Sequence, residues 1–266
     1  MSNRIPFRPK QSLGQNFLHD PNMIAKIVGT LDAPPEAHVV EVGAGTGALT
    51  TALADRYDRL TAIEIDERAV EVLQQKMPGI NIREQDVRDV DWAELASGGP
   101  VHVISNTPYH LSTEILFALL EQRKHIEEAV LTMQKEVAER IVAGPRTKDY
   151  GGPSVLVQLF AQPTHAFNVS RHVFTPQPDV TSAVLHVHFD PSAEPDDLDL
   201  SDVRPIVHAA FNQRRKMLRN PLSPWTKERG LALPNDWGRK RAEALSPDDF
   251  ADLVRFLQHD RGTPSA

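Results

Sequence analysis

Residues 39–50 decide the fold, and their sequence is Val39-Val40-Glu41-Val42-Gly43-Ala44-Gly45-Thr46-Gly47-Ala48-Leu49-Thr50. The apolar residues at its start predict a buried strand. The glycines predict a turn where the backbone can approach a ligand closely, because glycine adopts conformations that other residues avoid. A helix is predicted from Ala48, with its first N–H groups facing the turn. The spacing of Gly43, Gly45 and Ala48 also fits the fingerprint of dinucleotide-binding domains.

Acidic residues follow the next two predicted strands. Glu64 comes directly after the apolar run Leu60–Ile63, about twenty residues beyond the turn, where an acid accepts hydrogen bonds from ribose hydroxyls. Asp86 follows a third predicted strand over residues 80–85, where its carboxylate can accept from an adenine amino group. The same arrangement serves NAD and S-adenosylmethionine. These acids therefore predict an adenosyl nucleoside without deciding between the two.

A fourth predicted strand, Val101–Ile104, leads into Asn106-Thr107-Pro108-Tyr109. A carboxamide oxygen and a neighbouring backbone carbonyl can both accept hydrogen bonds from an NH2 group. Proline fixes the turn, and tyrosine offers a flat face on which a base can stack. A tetrapeptide of this kind is also common in ordinary turns. Its position beyond the glycine turn favours chemistry on an exocyclic amine.

With these motifs the chain resembles the KsgA-type ribosomal RNA adenine dimethyltransferases, from about Gln11 to Leu222. Position 107 departs from the family, which usually has leucine where this chain has threonine. Because the proposed role there belongs to the backbone carbonyl, we expect activity to survive. The matching motifs, in the order of the family, are Gln15–Asp20, Glu41–Thr50, Asn106–Tyr109, Gln134–Arg140, Val173–Ala183 and Phe211–Lys216.

The resemblance implies the reaction and the site. It implies an S-adenosylmethionine-dependent enzyme that dimethylates the amino groups of two adjacent adenosines in a hairpin loop near the 3′ end of small-subunit (16S) rRNA. Tyr109 and Phe174 would sandwich the target base. The predicted catalytic residues are Asn106, Thr107, Pro108, Tyr109 and Phe174. The predicted cofactor-binding residues are Asn16, Leu18, Gly43, Gly45, Glu64, Asp86 and Asn106.

Alternating apolar runs and helical stretches over residues 21–185 predict an α/β domain with a doubly wound, mostly parallel sheet. The resemblance specifies this as a Rossmann-like methyltransferase fold. The linker-like composition of Asp190–Asp197 predicts a boundary between a catalytic domain, residues 1–192, and a small helical domain, residues 193–266. Late strands are predicted at 154–161, 166–169 and 182–189, and C-terminal helices at 201–211, 214–220, 237–244 and 247–258.

The composition of the chain limits the ways in which the protein can bind RNA and indicates its location. A formal net charge of -7 argues against a generally basic RNA-coating protein, so RNA contacts must come from local patches. Val203–Lys227 contains no acidic residue, and its cations Arg214, Arg215, Lys216 and Arg219 are predicted to contact RNA. We expect a cytoplasmic monomer that acts on a partly assembled small subunit. With no cysteine and no long apolar run, we expect neither a metal site nor a membrane segment.

Three alternatives remain open at this point. A related dimethyltransferase acting on large-subunit rRNA would share the glycine turn and the Asn106–Tyr109 motif. An NAD-dependent dehydrogenase would account for the glycine turn, but not for the Asn106–Tyr109 motif or the basic stretch. A non-catalytic assembly factor could retain the fold, although intact Asn106, Tyr109 and Glu64 argue against it.

Overall fold

The computed structural model describes residues 16–106 and 108–258, and most of the strands belong to one central sheet. Position 107 and both chain ends lie outside the described residues. The strands are β1 Phe17–Leu18, β2 His38–Val42, β3 Arg59–Glu64, β4 Asn81–Glu84, β5 Val101–Ser105, β6 Ile126–Gln134, β7 Gln162–Val169, β8 Phe174–Thr175 and β9 Ser182–His188.

The central sheet has seven strands in the order β4-β3-β2-β5-β6-β9-β7. Strands β2 to β6 pair in parallel, and β9 runs antiparallel to β6. The predicted doubly wound, mostly parallel sheet is confirmed. Because β3 and β5 lie on opposite sides of β2, the chain reverses its direction of winding there. In such sheets, ligands bind outside the carboxyl ends of the strands at this switch point.

Helices connect the strands and make up most of the C-terminal part. Asp20 caps the first helix by accepting a 2.7 Å hydrogen bond from the Met23 backbone N–H. In the described parts of the chain, no helix combines the length and apolar character that a membrane crossing demands. The helices are α1 Pro21–Val28, α2 Ala48–Ala54, α3 Glu67–Lys76, α4 Trp92–Leu95, α5 Tyr109–Glu121, α6 Lys135–Val142, α7 Gly152–Phe160, α8 Leu200–Asn212, α9 Ser223–Glu228, α10 Asn235–Gly238 and α11 Pro247–Gln258.

The core between the sheet and the helices is made of fully buried aliphatic side chains. Ile104, Val130 and Val184, from neighbouring strands, belong to one cluster with Ile27 of α1 and Leu53 of α2. Each side chain of this kind stabilises the fold by about 1.5–3 kcal/mol when it leaves water. Because the central strands are buried, their carboxyl ends are held at fixed positions for a binding site.

The strand predicted over residues 154–161 is wrong, because this segment forms helix α7. Five of its apolar side chains are buried, so the run carries no alternation that separates a strand from a buried helix. The local signals favour the helix. Gly151 is the N-cap residue, Pro153 lies in the first turn, and Ser154 Oγ accepts a 2.9 Å hydrogen bond from the Gly151 N–H.

Two predicted C-terminal helices are also wrong in extent. Residues 213–220 form turns, and the backbone N–H of Leu218 donates to the carbonyl of Lys240 at 2.9 Å. The helix predicted over 237–244 is divided into α10 and a short 3-10 helix, Ala242–Ala244. Pairing between the two segments, with a bridge from Met217 to Arg241, uses backbone groups that continuous helices would need.

The chain forms two compact units. The first contains the chain up to Ala138 together with Thr164–Phe189, and the second contains Glu139–Pro163 together with the chain from Asp190 onward. The predicted boundary at 192/193 lies close to the crossing at Asp190. It misses residues 139–163, because α7 lies in the second unit although its sequence falls between elements of the first.

Candidate active site

The glycine turn lies directly after β2, at the switch point of the sheet. Gly43, Gly45 and Gly47 have φ angles of 75°, 53° and 83°, in the left-handed region that favours glycine. The Gly43 N–H donates to the Ile63 carbonyl at 2.8 Å, which ties the turn to the end of β3. Gly47 is the N-cap of α2. The sequence pattern therefore produces the predicted strand, turn and helix.

Glu64 holds this turn in place. Its Oε2 accepts a 2.7 Å hydrogen bond from the Gly45 N–H. Its Oε1 accepts from the N–H groups of Ile65 and Asp66 at 2.8 and 2.9 Å. Each carboxylate oxygen can accept more than one hydrogen bond, so the predicted contact with a ribose remains available. Glu64 thus organises the turn as well as lining the cavity.

A short ladder between β1 and β8 forms another wall of the site. Leu18 pairs with Phe174 and Phe17 with Thr175. The ring of Phe17 lies over the glycine turn, because a Cβ placed on Gly45 would be 3.1 Å from Phe17 Cε1. A side chain at position 45 would therefore push against this wall.

These elements enclose a cavity of about 1090 Å³, counted with its open mouth. It lies within the first compact unit. Among the residues that line it are all seven predicted cofactor-binding residues: Asn16, Leu18, Gly43, Gly45, Glu64, Asp86 and Asn106.

Asp86 differs from its predicted role in one respect. Its carboxylate accepts hydrogen bonds from Arg88 Nε at 2.9 Å and Arg88 Nη2 at 2.6 Å. These bonds lower the pKa of Asp86, so it is a carboxylate at neutral pH. An adenine amino group must share Asp86 with Arg88 or displace it. Arg88 has a side chain that is 68% exposed, so it can move at little cost.

Sequence reasoning missed Ile65 and left the role of Glu41 open. Ile65 lines the cavity beside Glu64 with 58% of its surface exposed, which offers an apolar face to a nucleobase. Glu41 is buried on β2, and its Oε2 has no hydrogen-bond partner in the described structure. Burial, with a smaller contribution from the Glu64 charge, raises the pKa of Glu41 to about 8. The sequence signal available for Ile65 was an isoleucine directly after the acid that is predicted to bind ribose.

Asn106 brings an amide group into the same cavity. Its Nδ2 donates to the Asn16 backbone carbonyl at 3.4 Å, so Oδ1 is the amide atom that can accept from a substrate. Pro108 also lines the cavity and precedes α5 in an extended conformation. Thr107, whose carbonyl is the second predicted acceptor, lies outside the described residues.

The two aromatic residues predicted to stack on the base are placed differently. Tyr109 is the first residue of α5 and shares a hydrogen bond with Ser182 Oγ, which fixes its ring. Phe174 is 3% exposed and packs in the hydrophobic core with Leu18 and Ile27. In this arrangement, the structure does not present Phe174 as a stacking face.

The predicted RNA-binding cations lie in the second unit, and Arg214 is structural there. Its Nε pairs with Glu243 at 3.0 Å, and its Nη2 donates to the carbonyls of Thr147 and Lys148 at 3.1 and 2.8 Å. Arg214 therefore clamps two loops together. The remaining cations Arg215, Lys216 and Arg219 are exposed.

Backbone pairing adds cations that the sequence prediction did not include. Residues 217–219 pair with 238–241 through the Leu218 N–H, the Arg219 N–H and the Met217 bridge. This pairing places a second basic run beside the first. We call the combined set the basic surface: Arg215, Lys216, Arg219, Arg239, Lys240 and Arg241.

Fold and site together define a class of protein. A mostly parallel sheet, a glycine turn after the strand at its switch point, an acid at the end of the neighbouring strand and an amide in the shared cavity are typical of Rossmann-like enzymes that act with a nucleoside cofactor. A model of the ribosomal RNA adenine dimethylase family matches residues 7–259. The chain belongs to this family, and it is an rRNA adenine dimethyltransferase. The NAD-dependent dehydrogenase alternative is thereby excluded.

Curated relatives match this chain over more than nine tenths of their lengths. A protein of Salinibacter ruber named ribosomal RNA small subunit methyltransferase A is 68% identical over 269 residues, covering 100% of this chain and 91% of the relative. A protein of the same name from Prosthecochloris aestuarii is 44% identical, covering 94% of this chain and 95% of the relative.

Solved structures agree in fold. A dimethyladenosine transferase from Plasmodium falciparum superposes with a TM-score of 0.76 at 23% identity, covering 92% of this chain and 98% of that one. The 23S rRNA methyltransferase ErmE has a TM-score of 0.66 at 26% identity, covering 91% of this chain and 99% of that one. The predicted family and fold are confirmed.

Proposed function

We propose that this enzyme uses S-adenosylmethionine to dimethylate the exocyclic amines of two adjacent adenosines in a 3′-terminal hairpin loop of 16S rRNA. The observation that carries the proposal is the position of Asn106 in one cavity with the glycine turn and Glu64. A nucleoside cofactor and a substrate amine can meet there. The names of the curated relatives support the small subunit as the target.

The cavity fits the cofactor by the chemistry of its groups. Glu64 can accept from ribose hydroxyls, and Ile65 offers an apolar surface to the adenine ring. The buried Oε2 of Glu41 lacks a partner in the described structure, so a donor such as an ammonium group would satisfy it. When bound, S-adenosylmethionine supplies a methyl group on a sulfonium, which is open to attack by a nucleophile.

The role of the protein is mainly positioning. The lone pair of an adenine amino group is delocalised into the ring, so the amine is a poor nucleophile. Asn106 Oδ1 and the Thr107 carbonyl would accept its two hydrogens, favour tetrahedral nitrogen and aim it at the methyl group. S-adenosylmethionine would supply the methyl group and leave as the neutral thioether, and the alkylated amine, held by Asn106 Oδ1 and the Thr107 carbonyl, would lose a proton to water. No dedicated base is required.

The substrate must present its adenosines outside a helical stack. Unstacking costs a few kcal/mol by the general rule, which favours a loop over a paired strand. Tyr109, fixed by Ser182, would support one face of the base. Phe174 could take the second face after leaving the core, and Pro108 fixes the backbone entry to α5.

The partner we propose is 16S rRNA within a partly assembled small subunit, in the cytoplasm, with the enzyme as a monomer. A protein with a net charge of -7 holds naked RNA weakly at physiological salt. The basic surface gives it a local site for phosphates. Shape contacts with an assembled particle would then add the affinity that charge alone does not supply.

Transfer of labelled methyl groups tests the proposal. Small subunits that lack adenine dimethylation and large subunits are incubated separately with the enzyme and labelled S-adenosylmethionine, and the digested RNA is examined by mass spectrometry. We expect dimethyladenosine at two adjacent positions in the small-subunit RNA alone. Label in the large subunit would indicate the activity named for ErmE instead. Label in neither would indicate a binding factor.

A further inference from the structure

A group of side chains of the kinds that bind metal ions lies at the opposite end of the strands from the cavity. The group consists of Asp32, Glu128, His186 and His188. One nitrogen or oxygen atom from each lies within 4.8 Å of all the others. Glu128 lies near the start of β6, whereas the cavity lies beyond the carboxyl ends of the parallel strands.

The sheet itself brings these side chains together. His186 and His188 are two positions apart on β9, so both point to the same face. Glu128 on β6 is directly opposite His188 in the antiparallel register. Asp32 lies in the connection from α1 to β2, and its N–H donates to Glu128 Oε1 at 2.9 Å. The arrangement is therefore held by regular backbone structure.

Glu128 is buried, and both of its carboxylate oxygens are hydrogen-bonded. It is 1% exposed, and its Oε1 is hydrogen-bonded to His102 Nδ1 at 2.7 Å as well as to the Asp32 N–H. His102 thus orients the carboxylate from behind, as outer partners of metal ligands do, and Oε2 faces His186.

We infer that this cluster is a binding site for a divalent first-row transition ion such as Zn²⁺, with His186 Nε2, His188 Nε2, Glu128 Oε2 and Asp32 Oδ2 as ligands. Two imidazoles and two carboxylates form a donor set that suits Zn²⁺. Tetrahedral Zn²⁺ needs ligand atoms about 3.3 Å apart. His188 Nε2 and Asp32 Oδ2 are already 3.6 Å apart.

Binding an ion requires a rearrangement at His186. His186 Nε2 and Glu128 Oε2 now share a hydrogen bond, and these two atoms must separate so that both can coordinate. Coordination through Nε2 leaves the hydrogen of a neutral imidazole on Nδ1. The side chains of Asp32 and His188 are 75% and 39% exposed, so an ion can enter from solvent.

The charge of the cluster also favours a cation. Asp32 and Glu128 each bring a carboxylate oxygen within 4.8 Å of the other ligand atoms, and a divalent ion would neutralise these two carboxylates. It would also tie the α1–β2 connection to two strands of the sheet.

Calorimetric titration of the tag-free, chelator-treated full chain with Zn²⁺ tests this site. We expect one ion per chain with a Kd below about 1 μM. His188→Ala and Asp32→Asn, at the exposed rim, should each weaken binding by at least about tenfold. His172→Ala removes an exposed histidine outside the cluster and should leave the affinity unchanged. Circular dichroism of each variant verifies folding.

Two results would overturn the inference. One is wild-type protein that takes up no Zn²⁺ at micromolar concentrations. The other is equal affinity in His188→Ala, Asp32→Asn and His172→Ala, since this would place the ion elsewhere. A rise in the thermal unfolding midpoint with Zn²⁺ in the wild type and in His172→Ala, but not in His188→Ala, would support the site independently of affinity.

Discussion

Asn106 is the residue whose amide is proposed to accept a hydrogen bond from the substrate amine, and its contacts lead to a specific prediction. Its Nδ2 is held by the Asn16 carbonyl, which leaves Oδ1 to act on the reacting nitrogen. Asn106→Ala should lower kcat by about 100- to 1000-fold, the usual effect of losing one preorganised polar group. Affinity for S-adenosylmethionine should fall only about threefold to tenfold, the contribution of one hydrogen bond.

Single-turnover methyl transfer and cofactor titration separate these two effects. Asn168→Ala, an exposed change on β7, provides the matched control and should behave as the wild type. Wild-type kcat in Asn106→Ala would refute the positioning role. A loss confined to cofactor affinity would instead assign Asn106 to cofactor binding alone.

Glu41 supports a prediction about stability and pH. Its pKa is 4.5 in the unfolded chain and about 8 in the fold, because burial disfavours the charge. Between these values the folded state binds the extra proton, so the free energy of unfolding falls as pH rises from 4.5 to about 8. Glu41→Gln removes this group. The unfolding free energy of the ligand-free variant, measured relative to that of the wild type, should therefore be higher at pH 8 than at pH 5 by a few kcal/mol, on the order set by the pKa shift.

Urea unfolding at pH 5 and pH 8 measures the difference. Glu71→Gln, an exposed position on α3, is the control and should show no such trend. If the stability difference between Glu41→Gln and wild type were the same at both pH values, Glu41 would not be a buried neutral acid.

At the scale of elements, the start of α2 depends on Gly47. This residue has a φ of 83°, and a Cβ placed on it would lie 2.8 Å from Leu73 Cδ1 of α3. Gly47→Ala should therefore cost about 1–3 kcal/mol in stability and weaken cofactor binding. In Gly79→Ala, a Cβ meets no atom within 4 Å, so this control should be nearly neutral. Thermal unfolding of both variants is decisive, and equal midpoints would contradict the prediction.

The elements that could be predicted are those whose local signals agree with tertiary structure. The helix over Lys135–Val142 and the strands that lead to the glycine turn and to Asn106 were found because apolar period and flanking turn residues coincide. Helix α7 was missed because burial on all sides removes its period. The turns at residues 213–220 were missed because the backbone there pairs with residues 238–241, and no local sequence pattern indicates this contact.

The features of the candidate site also fall into those that the sequence could predict and those that it could not. Asn106 and Glu64 could be placed because Asn106 follows β5 and Glu64 ends β3, and parallel strands bring their carboxyl ends together. The link from Arg88 to Asp86, the clamp formed by Arg214 and the burial of Phe174 depend on side-chain contacts. The histidine and carboxylate cluster could not be found, since its members lie on three separate segments.

At the scale of the whole molecule, binding of a polyanion by a protein with a net charge of -7 must depend on where its cations lie. Arg215, Lys216 and Arg219 are exposed in the second unit, whereas Arg214 is engaged by Glu243 and two carbonyls. Joint replacement of the three exposed cations by alanine should weaken binding to small subunits. The slope of log K against log salt should fall by about 2–3, because each lost phosphate contact removes nearly one released counterion.

Arg214→Ala serves as the contrasting variant in this experiment. It should lower the unfolding midpoint, because two loops lose their clamp, and it should leave the salt slope close to that of the wild type. The triple variant should show the reverse, with a changed slope and an unchanged midpoint. An unchanged slope in the triple variant would show that Arg215, Lys216 and Arg219 do not contact the RNA. A changed slope in Arg214→Ala alone would return the RNA contact to Arg214, which would then have to exchange Glu243 for phosphate.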